Sequence, residues 1–184
     1  MRPKCLPRAR DALDQLLLEH GRVRALLRQY ERVRLVDERA ADRAALLDSL
    51  CDALTLLAHL EERFFYPAAW QVLRDNPPTP ADFCDHAQLR SLIAQLDEMP
   101  PGDRACDALV ADMDGCVVPW MNAAPGGLFL AVRLAGLDTL ALGRHMAQWR
   151  REQQAQTPVL RRATHPVGST GLAASGWPQP LCRG

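Results

Sequence analysis

Residues 54–67 read Leu-Thr-Leu-Leu-Ala-His-Leu-Glu-Glu-Arg-Phe-Phe-Tyr-Pro, and this stretch decides the fold. Such a run is typical of a long helix that packs one face into a bundle. Glu61 lies on that face, where a buried carboxylate is costly unless it is paired or holds a metal ion. The apolar residues of the face recur at alternating spacings of three and four: Leu47, Leu50, Leu54, Leu57, Phe64 and Ala68.

The first half of the chain predicts three long helices. The first covers residues 7–30. The second runs from an N-cap at Asp37 through Pro67, which is expected to kink it. The third is expected to start at Thr79, with Asp82 completing a capping box. The predicted core-facing stripes are Leu13, Leu16, Leu17, Val23 and Leu27 in the first helix, and Asp82, His86, Leu89, Ile93 and Leu96 in the third.

The second half predicts a fourth helix after a cap at Asp103, then a break and a further amphipathic helix. Two prolines and two glycines fall within residues 118–127, which predicts the loss of regular helix there. The helical pattern resumes at Leu128, and a last helix covers residues 137–155. Residues 156–184 are rich in Pro, Gly, Ser and Thr without a period, so a disordered tail is predicted.

These elements place the chain in the all-α class. Long helices with short connections favour an up-down-up-down four-helix bundle over residues 8–155, with an extra C-terminal helical segment. The 22 basic and 22 acidic residues balance, which gives no indication of binding to nucleic acid or to a membrane surface. No apolar run reaches the roughly 20 residues that span a bilayer, and the basic N-terminus lacks the apolar segment of a secretory signal.

The cysteines point to a reducing compartment. There are six of them, and they form no Cys-x-x-Cys pair. Three lie in apolar helical patterns, as reduced thiols that fill a core do. We therefore expect a cytoplasmic protein, and a redox role for one cysteine stays open.

Three predicted helices each place one metal-capable side chain on the core stripe: His20, Glu61 and His86. Imidazole and carboxylate together suit iron, manganese or zinc. One such histidine alone is more often a hydrogen-bonded core residue than a ligand. Three at mid-helix on neighbouring helices favour a metal site, because bundles build their metal sites in this way. His59 is excluded, because two residues along a helix turn it about 200° from the face of Glu61.

Several short motifs lie along these helices: Glu19-His20, the run Glu61-Glu62-Arg63-Phe64-Phe65-Tyr66-Pro67, Asp85-His86 with Leu92-Ile93, Leu128-Phe129 and Ala135-Gly136-Leu137-Asp138. Together they resemble the hemerythrin-like HHE cation-binding domains, over roughly residues 8–155. The resemblance implies a non-haem iron cofactor, a di-iron centre in the family, with O2 or NO as partner or a role in iron storage or in redox and iron sensing. In the family, histidines from four helices and bridging carboxylates hold the metals.

The chain departs from the family pattern at several ligand positions. The family's second helix carries His-x-x-x-Glu, and this chain has Leu57 where that histidine belongs. In the fourth helix, Trp120 stands where the family has a histidine and Ala124 where it has a carboxylate. Arg90 occupies a place that is histidine in the oxygen carriers. A di-iron centre needs about five or more protein ligands, whereas the three that remain can hold one ion, more weakly.

Two functions are left open. The first is a metal-binding domain with mono- or di-iron at His20, Glu61 and His86. The alternative is a degenerate, metal-free bundle that acts as a scaffold or interaction domain. A ferritin-like oxidase would need Glu-x-x-His pairs on two helices, which the sequence lacks, and no catalytic motif indicates an enzyme. Residues 118–127 reflect either genuine divergence or a locally shifted reading frame in the source sequence.

Overall fold

The computed structural model describes residues 11–35, 40–79, 82–100 and 103–154. These residues contain helices and no strand, which confirms the all-α class. The bundle bounds at 8 and 155, the Asp37 cap and the 156–184 tail lie outside them. The helices are α1 (Ala12–Val33), α2 (Ala40–Leu60), a π-helical turn (Glu61–Phe65), α3 (Tyr66–Val72), α4 (His86–Asp97), α5 (Cys106–Ala123), α6 (Leu128–Leu134) and α7 (Thr139–Gln154).

The first helix follows its predicted stripe closely. Asp11 caps α1 by accepting a hydrogen bond of 2.8 Å from the backbone N–H of Asp14. Leu17 is the exception to the stripe, because it is 40% exposed. The other predicted stripe residues and His20 are buried: Leu13, Leu16, Val23 and Leu27.

A π-helical turn lies directly before Pro67, where a kink was expected. The backbone N–H of Tyr66 donates to the carbonyl of Glu61, five residues back. Proline has no N–H and its ring crowds the carbonyl four residues back, so a widened turn before Pro67 accommodates it. The extra residue also shifts the stripe by one position. Phe65 and Ala69 are fully buried, whereas the predicted stripe residues Phe64 and Ala68 are only half-buried.

The predicted start of the third helix at Thr79 was wrong. Asp82 accepts hydrogen bonds from the Thr79 N–H and hydroxyl, at 2.7 and 2.8 Å, but this closes a local turn. Helix α4 begins at His86, where Asp85 accepts from the Gln88 N–H at 2.9 Å. The later start makes His86 the first residue of α4, one turn before the buried Leu89.

The predicted loss of helix over residues 118–127 was also wrong for its first half. Helix α5 continues through Pro119 to Ala123. Pro119 cannot donate to the carbonyl of Gly115, but both residues are exposed, so water can satisfy that carbonyl. The chain leaves the helix only at the Pro-Gly-Gly turn after Ala124, and helix resumes at Leu128 as predicted.

The interior is one apolar core to which every helix contributes. Helix α1 packs against α2 and α7, and α4 packs against α5. The up-down-up-down arrangement stays a prediction. Within the described ranges, one helical stretch, Cys106–Leu134, is long and apolar enough to cross a membrane by length and mean hydropathy, a test that core helices also pass.

The described cysteines are free thiols. Three of them are buried: Cys51, Cys84 and Cys106. Burial, followed by the neighbouring Cys84 and Asp85, raises the pKa of Cys116 to about 12. A thiol that stays protonated at neutral pH is a poor nucleophile, which favours a packing role over a redox role for Cys116.

Candidate metal centre

The structure brings the three predicted ligand residues together in the core. Glu61, in the π-helical turn, is fully buried, as is His20 on α1, and His86 at the start of α4 is 5% exposed. Glu61 Oε1 lies 3.4 Å from His20 Nε2, and Oε2 lies 2.7 Å from His86 Nε2. One carboxylate therefore bridges two imidazoles from two other helices.

Tyr66 is a fourth member of the cluster, which sequence reasoning missed. Its hydroxyl donates to Glu61 Oε2 at 3.0 Å and accepts from the Cys84 N–H at 3.3 Å. In an α-helix, residues five apart point about 140° away from each other. The π-helical turn brings Tyr66 back to the face of Glu61. The Phe-Tyr-Pro run was the available signal, but an α-helical reading gave Tyr66 no role.

His86 is held from several directions. Its ring stacks on the Tyr66 ring, with centroids 5.5 Å apart and planes 14° apart. Its backbone N–H donates to the Cys84 carbonyl at 2.9 Å. Its Nδ1 lies 3.3 Å from Glu62 Oε1, and Arg90 donates to that same oxygen at 2.7 Å. Both nitrogens of this imidazole thus face carboxylates, one from each of two consecutive residues.

These contacts shift the ionisation of the cluster. Burial alone would lower the pKa of His86, but hydrogen bonds to Cys84, Glu61 and Glu62 outweigh it and raise that pKa to about 11. Burial would raise the pKa of Glu62, yet hydrogen bonds from His86 and Arg90 lower it to about 2. Burial and the nearby Glu61 raise the pKa of Tyr66, so it stays a neutral donor. Without a metal, His86 is an imidazolium between two carboxylates.

His20 has a more apolar environment than His86. The Trp120 ring meets it edge-on at 4.8 Å, and the Phe129 ring stacks on it at 5.9 Å. Its buried Nδ1 finds no hydrogen-bond partner in the part of the chain that the structure describes. Trp120 is itself fixed, because its Nε1–H donates to the Asp82 carbonyl at 3.1 Å. Two aromatic rings therefore pack around His20, whose polar contact is the one between Nε2 and Glu61.

The segment that carries this cluster has a recognisable family pattern. The family model described as the Hemerythrin HHE cation binding domain matches residues 11–124. The chain belongs to the hemerythrin HHE cation-binding domain family. The match takes in all three bridged residues and ends where α5 ends, so α6 and α7 lie beyond it. No curated protein and no solved structure matches the chain.

This hemerythrin-like domain lacks donor side chains at four positions where the family has, or in the oxygen carriers has, ligands. Leu57, Trp120 and Ala124, at three expected ligand positions, are buried at 3%, 7% and 3% exposure and pack in the apolar core. Arg90, at a fourth, forms the ion pair with Glu62. None of these four supplies a donor to a cation. The residues present do not fit the family's di-iron centre.

The other histidines lie outside the cluster, as expected. His59 Nδ1 lies 2.7 Å from the Thr55 carbonyl, and its ring stacks on Trp149 at 5.9 Å. His145 on α7 is exposed. His165 lies outside the described residues.

The donors of the hemerythrin-like cluster are of a kind that can hold one cation, since imidazole and carboxylate suit iron, manganese or zinc. Across the described ranges, no three His, Cys, Asp or Glu side chains surround a common ion position. The nitrogen and oxygen atoms of the cluster instead contact each other, at 2.7 and 3.4 Å. A cation at this place would have to displace those contacts.

Proposed function

We propose that this domain binds a single non-haem iron ion through His20, Glu61 and His86. The observation that carries the proposal is the meeting of two imidazoles and one carboxylate, all nearly inaccessible to solvent, from three separate elements. A buried carboxylate destabilises the fold unless it is paired or holds a metal ion. Membership of a cation-binding family supports the same conclusion.

The proposal names iron because of the ligand types. Two histidines and one carboxylate are the protein ligands of mononuclear non-haem Fe(II) sites, which keep other coordination positions open. When bound, the ion would supply those positions to a small ligand such as O2 or NO. Manganese and zinc accept the same donors, so the binding test includes them.

We assign the site to binding and sensing of a diatomic ligand in the cytoplasm, not to catalysis or storage. One ion per chain is too little for storage. Aromatic rings lie against both histidines: Trp120 and Phe129 beside His20, and Tyr66 beside His86. A buried site lined by such rings suits a small, weakly polar ligand better than an organic substrate, which needs an open pocket.

A metal-free bundle is the second candidate, and one observation favours it. Both oxygens of Glu61 already contact an imidazole, and the Tyr66 hydroxyl donates to one of them. The charge of the carboxylate is therefore balanced without a metal. In this account the cluster is a polar linker that fixes the register of α1, the π-helical turn and α4.

Anaerobic titration with Fe2+ separates the two candidates. Calorimetry on the full chain is expected to show one site per chain, with Mn2+ and Zn2+ as comparison ions. Glu61→Gln should weaken binding strongly, because it removes the charge that holds the ion and keeps the side-chain size. Glu31→Gln, which alters an exposed surface ion pair, is the matched control and should bind as the unaltered chain does. No heat of binding for any of the three ions would leave only the metal-free bundle.

A further inference from the structure

Two consecutive glutamates hold the two nitrogens of one histidine. Glu61 Oε2 lies 2.7 Å from Nε2 of His86, and Glu62 Oε1 lies 3.3 Å from Nδ1 of the same ring. The two carboxylates differ in their surroundings, because the side chain of Glu61 is fully buried and that of Glu62 is 38% exposed. Glu62 therefore reaches the ring from the solvent side.

A carboxylate at this place has a recognised effect on a ligand histidine. A metal-bound imidazole usually donates its second N–H to a carboxylate, carbonyl or water, which fixes the tautomer and the ring orientation. A proton kept on Nδ1, beside Glu62, would leave the Nε2 lone pair of His86 for the proposed ion once Nε2 gives up its own proton. His20 has no such partner, because its Nδ1 is unpaired among the described residues.

Arg90 keeps Glu62 in position. Its Nη1 lies 2.7 Å from Glu62 Oε1, the oxygen that also faces His86. A glutamate this exposed would otherwise sample several rotamers in water. Arg90 lies one helical turn after His86 on α4, so the same helix carries the histidine and the cation that restrains its partner. Arg90, at a position that is histidine in the oxygen carriers, thus contacts the remaining candidate ligand His86 through Glu62.

We propose that Glu62, restrained by Arg90, is a positioning residue that holds His86 in the tautomer and orientation needed to bind a cation. This inference rests on the proposed function. It makes the site asymmetric, with His86 oriented by a charged pair and His20 packed among aromatic rings. It also predicts that affinity for the ion depends on two residues that never touch it.

Titration of the full metal-free chain with Co2+ tests the inference, because the visible absorption of this ion reports its ligand geometry. Glu62→Ala is expected to weaken Co2+ binding about 10–100-fold and to alter the absorption bands. Glu62→Gln, whose carbonyl can still accept from Nδ1–H, should recover part of the affinity. Arg90→Lys should stay close to the unaltered chain, whereas Arg90→Leu should weaken binding.

The control is Glu31→Ala, which removes a comparable glutamate–arginine pair with the same 2.7 Å separation on the surface. It should leave both affinity and spectrum unchanged. Thermal melting of each metal-free variant shows that it is folded. If the unaltered chain binds Co2+ and Glu62→Ala binds it equally well with the same spectrum, the positioning role is wrong and the proposed site stands. If the unaltered chain binds neither Co2+ nor Fe2+, both proposals are wrong.

Discussion

Glu61 is the residue on which the interior of this domain depends. From the sequence, an acid on the core stripe could be unpaired, and its removal would then be neutral or stabilising. The structure gives it three partners: His20, His86 and Tyr66. Removal of one member of a buried, hydrogen-bonded set leaves the other members without a partner. That costs far more stability than replacement of the whole set by apolar residues would.

We therefore expect Glu61→Leu to destabilise the metal-free chain by about 3 kcal/mol. The substitution leaves the charged imidazole of His86 and the Tyr66 hydroxyl short of a partner inside the core. Urea unfolding in the presence of a chelator measures the effect. Glu31→Leu, at an exposed position, should change stability by less than about 0.5 kcal/mol. Equal or greater stability of Glu61→Leu would show that the cluster contributes nothing to folding.

His86 gives the metal-free chain a distinctive pH dependence. Its pKa is raised to about 11 in the folded state from 6.5, so its stabilising contribution is fully present below pH 6.5. That contribution falls as pH rises from there through about 11, because the folded state then loses the proton that it held more tightly than the unfolded chain. Unfolding at several pH values should show a steeper loss for the unaltered chain than for His86→Gln. Parallel curves for the two proteins would contradict the assignment.

At the level of helices, periodicity predicted most of the packing faces. The stripes of α1, α2 and α4 hold except at the exposed Leu17 and Asp82, because the spacing of apolar residues reflects which face is buried. The errors occur where a local feature competes with that period. The π-helical turn before Pro67 shifted the stripe from Phe64 to Phe65, the turn at Thr79 was taken for a helix start, and Pro119 was tolerated on an exposed face of α5.

Helix α7 lies beyond the family match, yet it is tied to α1. Arg150 Nη2 lies 2.8 Å from Oε1 of the buried Glu19, and the Gln15 amide donates to the Gly143 carbonyl at 2.7 Å. The other oxygen of Glu19 has no hydrogen-bond partner within the described ranges and lies 4.0 Å from Nη1 of the exposed Arg22, so Arg150 provides the shorter of its two ion pairs. The C-terminal helix is therefore part of the folded unit and not an appendage.

Loss of this ion pair should loosen α7 and destabilise the domain. Arg150→Leu leaves the buried carboxylate only its longer ion pair with the exposed Arg22, and we expect a cost of about 2 kcal/mol in urea unfolding. The double variant Glu19→Leu with Arg150→Leu should recover most of that loss, because neither charge then remains. Arg151→Leu, at the next, exposed position, is the control. If Arg150→Leu lowers the free energy of unfolding no more than Arg151→Leu does, the ion pair contributes nothing to stability.

For the whole molecule, the sequence predicted which polar residues would meet but not how. His20, Glu61 and His86 could be singled out because each interrupts the apolar stripe of a predicted helix. Tyr66 and Glu62 could not, because their roles depend on the π-helical turn and on a contact with α4 that no local pattern encodes. The apolar residues at the remaining ligand positions were visible in the sequence, and the structure shows that they fill the core.

The central claim is that this hemerythrin-like fold keeps one metal where its family keeps two. The most direct measurement is the iron content per chain after expression with added iron and aerobic purification, by mass spectrometry of metal and protein together. The account predicts about one iron per chain, falling to near zero in Glu61→Gln. Less than about a tenth of an equivalent, or two equivalents, would contradict it.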